Sequence, residues 1–174
     1  MSAITSYDPI APIAPIAPIA PIAPLSKLNQ DLIKAKTAEQ TKLLIDTGAD
    51  VNAKTDNGYT ALMGAKTSEQ TKLLLDSGAD VNAKDKYGST ALMYANSFEK
   101  TRLLIDAGAD VNAKTYNCGF TALMYVKTVE QTKLLIEAGA DVNAKTDNGE
   151  TALMRAKKAA TVALKAINNN KNCY

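Results

Sequence analysis

The residues able to do chemistry are few in kind. The 174-residue chain carries 18 acidic residues, 7 Tyr and 2 Cys, and it has no His and no Trp. Without His, every imidazole mechanism is excluded: Ser-His-Asp and Cys-His nucleophiles, imidazole zinc sites and imidazole pH switches. Cys118 therefore has no neighbouring base to raise its reactivity, and it is expected to be exposed. Pairing it with Cys173 would require the C-terminal tail to fold back. Two thiols can form neither a four-thiolate metal site nor a disulfide framework. Acidic and amide residues recur in columns, Asp50, Asp80, Asp110 and Asp141 with Asn52, Asn82, Asn112 and Asn143. A metal ladder is rejected, because stacked helices lie about 8–10 Å apart and cannot share one ion. These side chains are read instead as partners for backbone groups. No P-loop, dinucleotide fingerprint or G-x-S-x-G elbow is present. A net charge of +2 gives no case for a nucleic-acid surface. The expectation is a protein with no enzymatic activity, no cofactor and no metal, so its aromatic residues carry the functional interest.

The elements that hold these residues follow from repetition. Thr-Ala-Leu-Met begins at residues 60, 90, 121 and 151, and Gly-Ala-Asp-Val-Asn-Ala-Lys at 48, 78, 108 and 139. The first series steps by 30, 31 and 30 residues and the second by 30, 30 and 31, which places the extra residue near Cys118. A period in this range signals stacked units that bury their faces only against one another. Thr60 is a good N-cap for a short helix of about six residues from Ala61, too short to persist alone. Thr67-Ser68-Glu69-Gln70 fits a capping box opening a second helix, repeated at Thr37 and Thr128, while Ser97 to Lys100 keeps only the cap. That helix carries Leu73-Leu74-Leu75 and ends at Gly78, expected to be left-handed. Residues 79–84 are expected to be extended, and residues 85–88 to turn.

This pattern resembles the ankyrin repeat family. The resemblance is carried by the Thr-x-Leu opening, Ala65, Leu73-Leu74, and Gly78-Ala79-Asp80-Val81-Asn82-Ala83 followed by Gly88, a set recurring at Gly48, Gly108 and Gly139. It implies an all-α helical repeat solenoid with short β-hairpin-like fingers, over roughly residues 28–167. Two features depart from the family. The unit is 30 residues rather than about 33, and it opens Thr-Ala-Leu-Met rather than T-P-L-H. The loop between the helices should therefore be tighter, with Met63, Met93, Met124 and Met154 filling the space apolarly. The resulting organisation is a start cap (residues 26–59), repeats at 60–89, 90–120 and 121–150, and an end cap (151–167). An arm of residues 1–25 precedes it and a polar tail of residues 168–174 follows.

Comparing the repeats with each other separates scaffold from surface. Five variable positions follow the Leu-Met pair or its cap equivalent: Lys34, Gly64, Tyr94, Tyr125 and Arg155. In the ankyrin family the matching column lies on the concave face. Tyr59, Tyr87, Tyr116 and Phe120 vary at the finger tips, and Phe98 lies between the helices. Outside the terminal Tyr7 and Tyr174, every aromatic residue occupies a variable column. A core that needed aromatics would repeat them, so Tyr94, Tyr125, Tyr87, Tyr116, Phe120, Tyr59 and Arg155 are the candidate partner-binding residues.

Residues 9–24 read PIAPIAPIAPIAPIAP and hold all 6 prolines. Their geometry should be polyproline II, whose 3 residues per turn place the Ile side chains on one stripe. Three roles stand open for the arm: linker, docking along the solenoid, or ligand of a proline-recognising partner. The N-terminus lacks a basic n-region and no apolar run is long enough for a membrane span, so a cytoplasmic location is expected. The functional expectation is a protein–protein interaction module, monomeric on its own, acting without nucleic acid or membrane. The alternatives are an inhibitor or immunity-type protein blocking one enzyme or toxin, and a spacer whose Pro-rich arm does the binding.

Overall fold

The structure is a computed structural model that describes residues 26–155. The arm at 1–25, the remainder of the end cap at 156–167, and the tail with Cys173 lie outside the described residues. Elements follow the order α1 (Lys27–Lys34), α2 (Ala38–Asp46), α3 (Ala61–Gly64), α4 (Ser68–Asp76), α5 (Phe98–Asp106), a 3-10 turn (Ala122–Met124), α6 (Val129–Glu137) and α7 (Ala152–Arg155). The four nine-residue helices α2, α4, α5 and α6 stack in sequence order, and α1 packs on α3 at the start of the opposite layer. The core between the layers is aliphatic, with Leu32, Leu62, Leu74, Leu92, Leu104, Leu123 and Leu135 all buried.

Each long helix has the same local machinery. Thr37, Thr67, Ser97 and Thr128 cap α2, α4, α5 and α6 through their side-chain oxygens. Each helix closes in a Schellman motif. After α4, the Gly78 N–H donates to Leu75 O at 3.0 Å and the Ala79 N–H to Leu74 O at 2.9 Å. Gly78 sits at φ +86°, as the expected left-handed stop requires.

The reciprocal half of the capping box is displaced by one residue. The Gln70 carbonyl oxygen accepts the Lys66 N–H at 3.0 Å, leaving the Gln70 amide free to donate backwards to Ala35 O, Thr37 O and Thr41 Oγ1 of the preceding layer. Gln131 donates likewise to Ala95 O, Ser97 O and Thr101 Oγ1. The glutamines thus join layers as well as cap helices. Lys100 takes the same column in α5, is only 2% exposed, and spends its ammonium on Ala65 O at 2.6 Å. Burial brings its pKa down from 10.5 to about 8.

In the three repeats the first helix is shorter than expected. It is one α-turn at Ala61–Gly64, a hydrogen-bonded turn at residues 91–94, and a 3-10 turn at Ala122–Met124. Thr60 caps its turn, with Met63 N donating at 3.4 Å, but Thr121 forms no cap bond. The hydroxyls of Thr90 and Thr121 are buried without a partner. Removing three residues between the helices leaves too little chain for a second turn, and burial of the Ala-Leu-Met segments holds what remains. Met63, Met93 and Met124 fill this layer as expected, whereas Met154 is exposed.

The fingers are built of turns. Residues 79–84 are not extended throughout: the Ala83 N–H closes onto Asp80 O, and the Asp80 carboxylate accepts the Asn82 N–H at 2.9 Å. A second turn closes from Gly88 N to Asp85 O. Among the described residues no β-strand forms, and one isolated bridge pairs Lys145 with Thr151.

Candidate functional site

The Asp and Asn columns stitch one finger to the next. Asn52 donates to Gly78 O and accepts the Asp80 N–H; Asn82 does the same for Gly108 and Asp110, and Asn112 for Gly139 and Asp141. Asn29 in α1 accepts the Asp50 N–H at 2.9 Å, so this departure of the start cap from the repeat pattern serves the same ladder. One backbone bond also ties each pair of finger tips: Lys86 N to Asn57 O, Tyr116 N to Tyr87 O, and Asp147 N to Cys118 O. Cys118 therefore occupies the register of Asn57 and Tyr87, and the inserted residue is Asn117. The third tip absorbs it by closing Gly119 N onto Thr115 O, one residue wider than the Gly88–Asp85 turn.

On this scaffold the candidate aromatics fall into two clusters. Tyr59 and Tyr94 meet edge to face with centroids 5.4 Å apart. Gly64 makes room for Tyr59, since a Cβ there would lie 3.3 Å from its ring. The Tyr94 hydroxyl donates to Asp85 Oδ2 at 2.9 Å, while Asp85 Oδ1 accepts the Tyr87 and Ser89 N–H groups. Asp85 is buried, where the corresponding residues Thr55 and Thr115 each accept one backbone N–H. Burial and the Asp85 carboxylate push the Tyr94 phenol up to about 12. Tyr94 thus exposes its ring with its hydroxyl already committed, and Tyr59 is half-buried.

The second cluster is more open. Phe120, half-buried, meets Tyr125 edge to face at 5.8 Å, and the Arg155 guanidinium lies 4.4 Å over the Phe120 ring. Arg155 is oriented by Glu150 at 2.7 Å. A groove of about 300 Å³ opens beside this cluster, lined by Tyr87, Asn117, Cys118, Phe120 and Tyr125 among others. Cys118 is half-buried in it rather than exposed. Burial is the main cause of the raised Tyr125 pKa. Tyr87 and Tyr116 stand at adjacent tips, 52% and 62% exposed, with the Lys86 and Lys84 ammonium groups over their rings. Phe98, also exposed, begins α5 apart from both clusters.

Among the described residues no three His, Cys, Asp or Glu side chains group to hold a metal, and no helix is long and apolar enough to cross a membrane. Sequence comparison missed two residues, Lys100 and Asp85. Both were visible as a charged residue replacing Gln or Thr in one repeat of a column, but column position alone does not reveal burial. A family description of ankyrin repeats in three copies matches residues 32–115, and that of a single ankyrin repeat matches residues 118–147. No curated protein matches the chain. The match runs through the Schellman glycines, the capped long helices and the Asn-bridged fingers, and the chain belongs to the ankyrin repeat family, whose repeats are in general protein–protein interaction modules.

Proposed function

We propose that the chain is a non-enzymatic binding module whose partner is a protein seated over the aromatic surface from Tyr87 to Arg155. The observation that carries this reading is the groove beside Phe120 and Tyr125, rimmed by the exposed rings of Tyr87 and Tyr125, with Arg155 stacked over Phe120. Aromatic and arginine side chains are the common anchors of protein interfaces, because they bury much area while fixing few torsions. None of these columns is aromatic in every unit, so the scaffold does not need them. Tyr116 extends the surface along the tips, and the Tyr59–Tyr94 pair with Asp85 forms its rigid border.

The test begins with affinity purification of the full chain from its native host and identification of the co-purifying protein. Binding is then measured for the Tyr87→Ala, Tyr125→Ala double variant, with circular dichroism as the check on folding. The expected result is an affinity loss of about 30-fold or more with the helical signal unchanged. Unchanged affinity would reject this face. Loss of binding only on deletion of residues 1–24 would assign recognition to the arm instead.

A further inference from the structure

The first face of the stack is open as no internal layer is. Gln70 and Gln131 send their amides back to carbonyls of the layer before them and are buried. Gln40 holds the same column in α2 and is exposed; its carbonyl accepts the Lys36 N–H, and among the described residues its amide nitrogen meets no acceptor. Leu43 is 64% exposed, whereas Leu73, Leu103 and Leu134 in its column are half-buried. Between the end of α1 (Lys34, Ala35, Lys36) and α2 (Gln40, Leu43, Leu44) lies a groove of about 470 Å³. Its lining offers the apolar Leu43 and Leu44, donors on Gln40, Lys34 and Lys36, and one carboxylate, Asp31, so donors outnumber anionic acceptors and an apolar, acceptor-rich occupant fits it.

Residues 9–24 of this chain have that chemistry. Their prolines bring carbonyls without N–H groups, and in the polyproline II geometry expected from the sequence those carbonyls would be unpaired along a stripe of Ile. Asp8, the only charged side chain in residues 1–25, precedes the segment and complements Lys34 and Lys36 on the groove rim. The chain enters α1 at its N-cap Ser26, about 12 Å (one eight-residue helix) from the far end of the groove. The segment spans roughly 50 Å when extended, ample to fold back, and the tether raises its local concentration to the millimolar range. We propose that residues 9–24 lie in this groove, with Ile side chains on Leu43 and Leu44 and backbone carbonyls on the Gln40 amide, and so close the open end of the solenoid.

The test places a nitroxide on Ala14→Cys in the full chain, with Cys118→Ser and Cys173→Ser, and reads paramagnetic broadening by NMR at high dilution. The Leu43 methyls and the Gln40 side-chain amide should broaden strongly, and Leu43→Lys should abolish the effect while the remaining resonances stay in place. Gln40→Ala serves as a second variant should Leu43→Lys perturb the fold, and should weaken the broadening. Deleting residues 1–24 should speed hydrogen exchange in α2 by about tenfold. Absence of broadening overturns the proposal. Broadening seen only on mixing labelled with unlabelled chains, or centred on Tyr87 and Tyr125, overturns it in favour of a second copy or of the aromatic face.

Discussion

Lys100 shows how much one side chain in a repeated column can matter. Its ammonium is buried against a single carbonyl, where Gln70 and Gln131 reach three acceptors each. Because its folded pKa is about 8 against an ordinary 10.5, the unfolded chain binds the proton more tightly between those values. Stability should therefore rise as pH increases from about 8 toward 10.5, and the full penalty is present below about 8. Lys100→Gln should stabilise the protein at pH 7 by on the order of 2 kcal/mol and remove that rise, as measured by urea unfolding across pH. Asp85 gives a second case. Asp85→Thr restores the residue found at Thr55 and Thr115 and should leave the backbone bond to Ser89 in place. It frees the Tyr94 hydroxyl, so an ultraviolet titration should show one phenol moving down from about 12 toward 10.0.

At the scale of elements, the glycines separate two kinds of constraint. Gly78 and Gly88 both have positive φ, but a Cβ on Gly78 meets open space, while one on Gly88 would lie 2.9 Å from Tyr116 N and 3.0 Å from its ring. Gly78→Ala should cost about 1 kcal/mol, the left-handed strain alone. Gly88→Ala should cost more and should weaken the bond from Tyr116 N to Tyr87 O that joins two finger tips, visible as faster exchange of that amide. The Asn ladder acts at the same scale. Asn82→Ala removes the bonds to Gly108 O and Asp110 N, and thermal unfolding should show a loss of about 1–2 kcal/mol.

At the scale of the whole molecule, each unit among the described residues touches only its neighbours, so a local insertion changes the surface without disturbing the stack. Asn117 is such an insertion: Cys118 recovers the finger register and passes it to Asp147. Deleting Asn117 should leave the unfolding midpoint nearly unchanged. It should narrow the groove beside Phe120 and Tyr125, and binding of the captured partner should fall as it does for the double tyrosine variant.

The sequence by itself determined the repeat period, the long helices with their Ser/Thr caps, the glycine stops and the scaffold role of Asp50, Asn52 and their counterparts. These are local signals, each set by backbone chemistry within a few residues and confirmed by repetition. Only the tertiary structure decided that the first helices shrink to single turns, that Gln70 bridges layers, and that Lys100 and Asp85 are buried. It also divided the aromatics into an edge-to-face Tyr59–Tyr94 border hydrogen-bonded to Asp85 and an open Phe120–Tyr125 groove. Burial and cross-layer hydrogen bonds depend on what the neighbouring unit brings to the contact, and a column of aligned letters records the side chain without its surroundings.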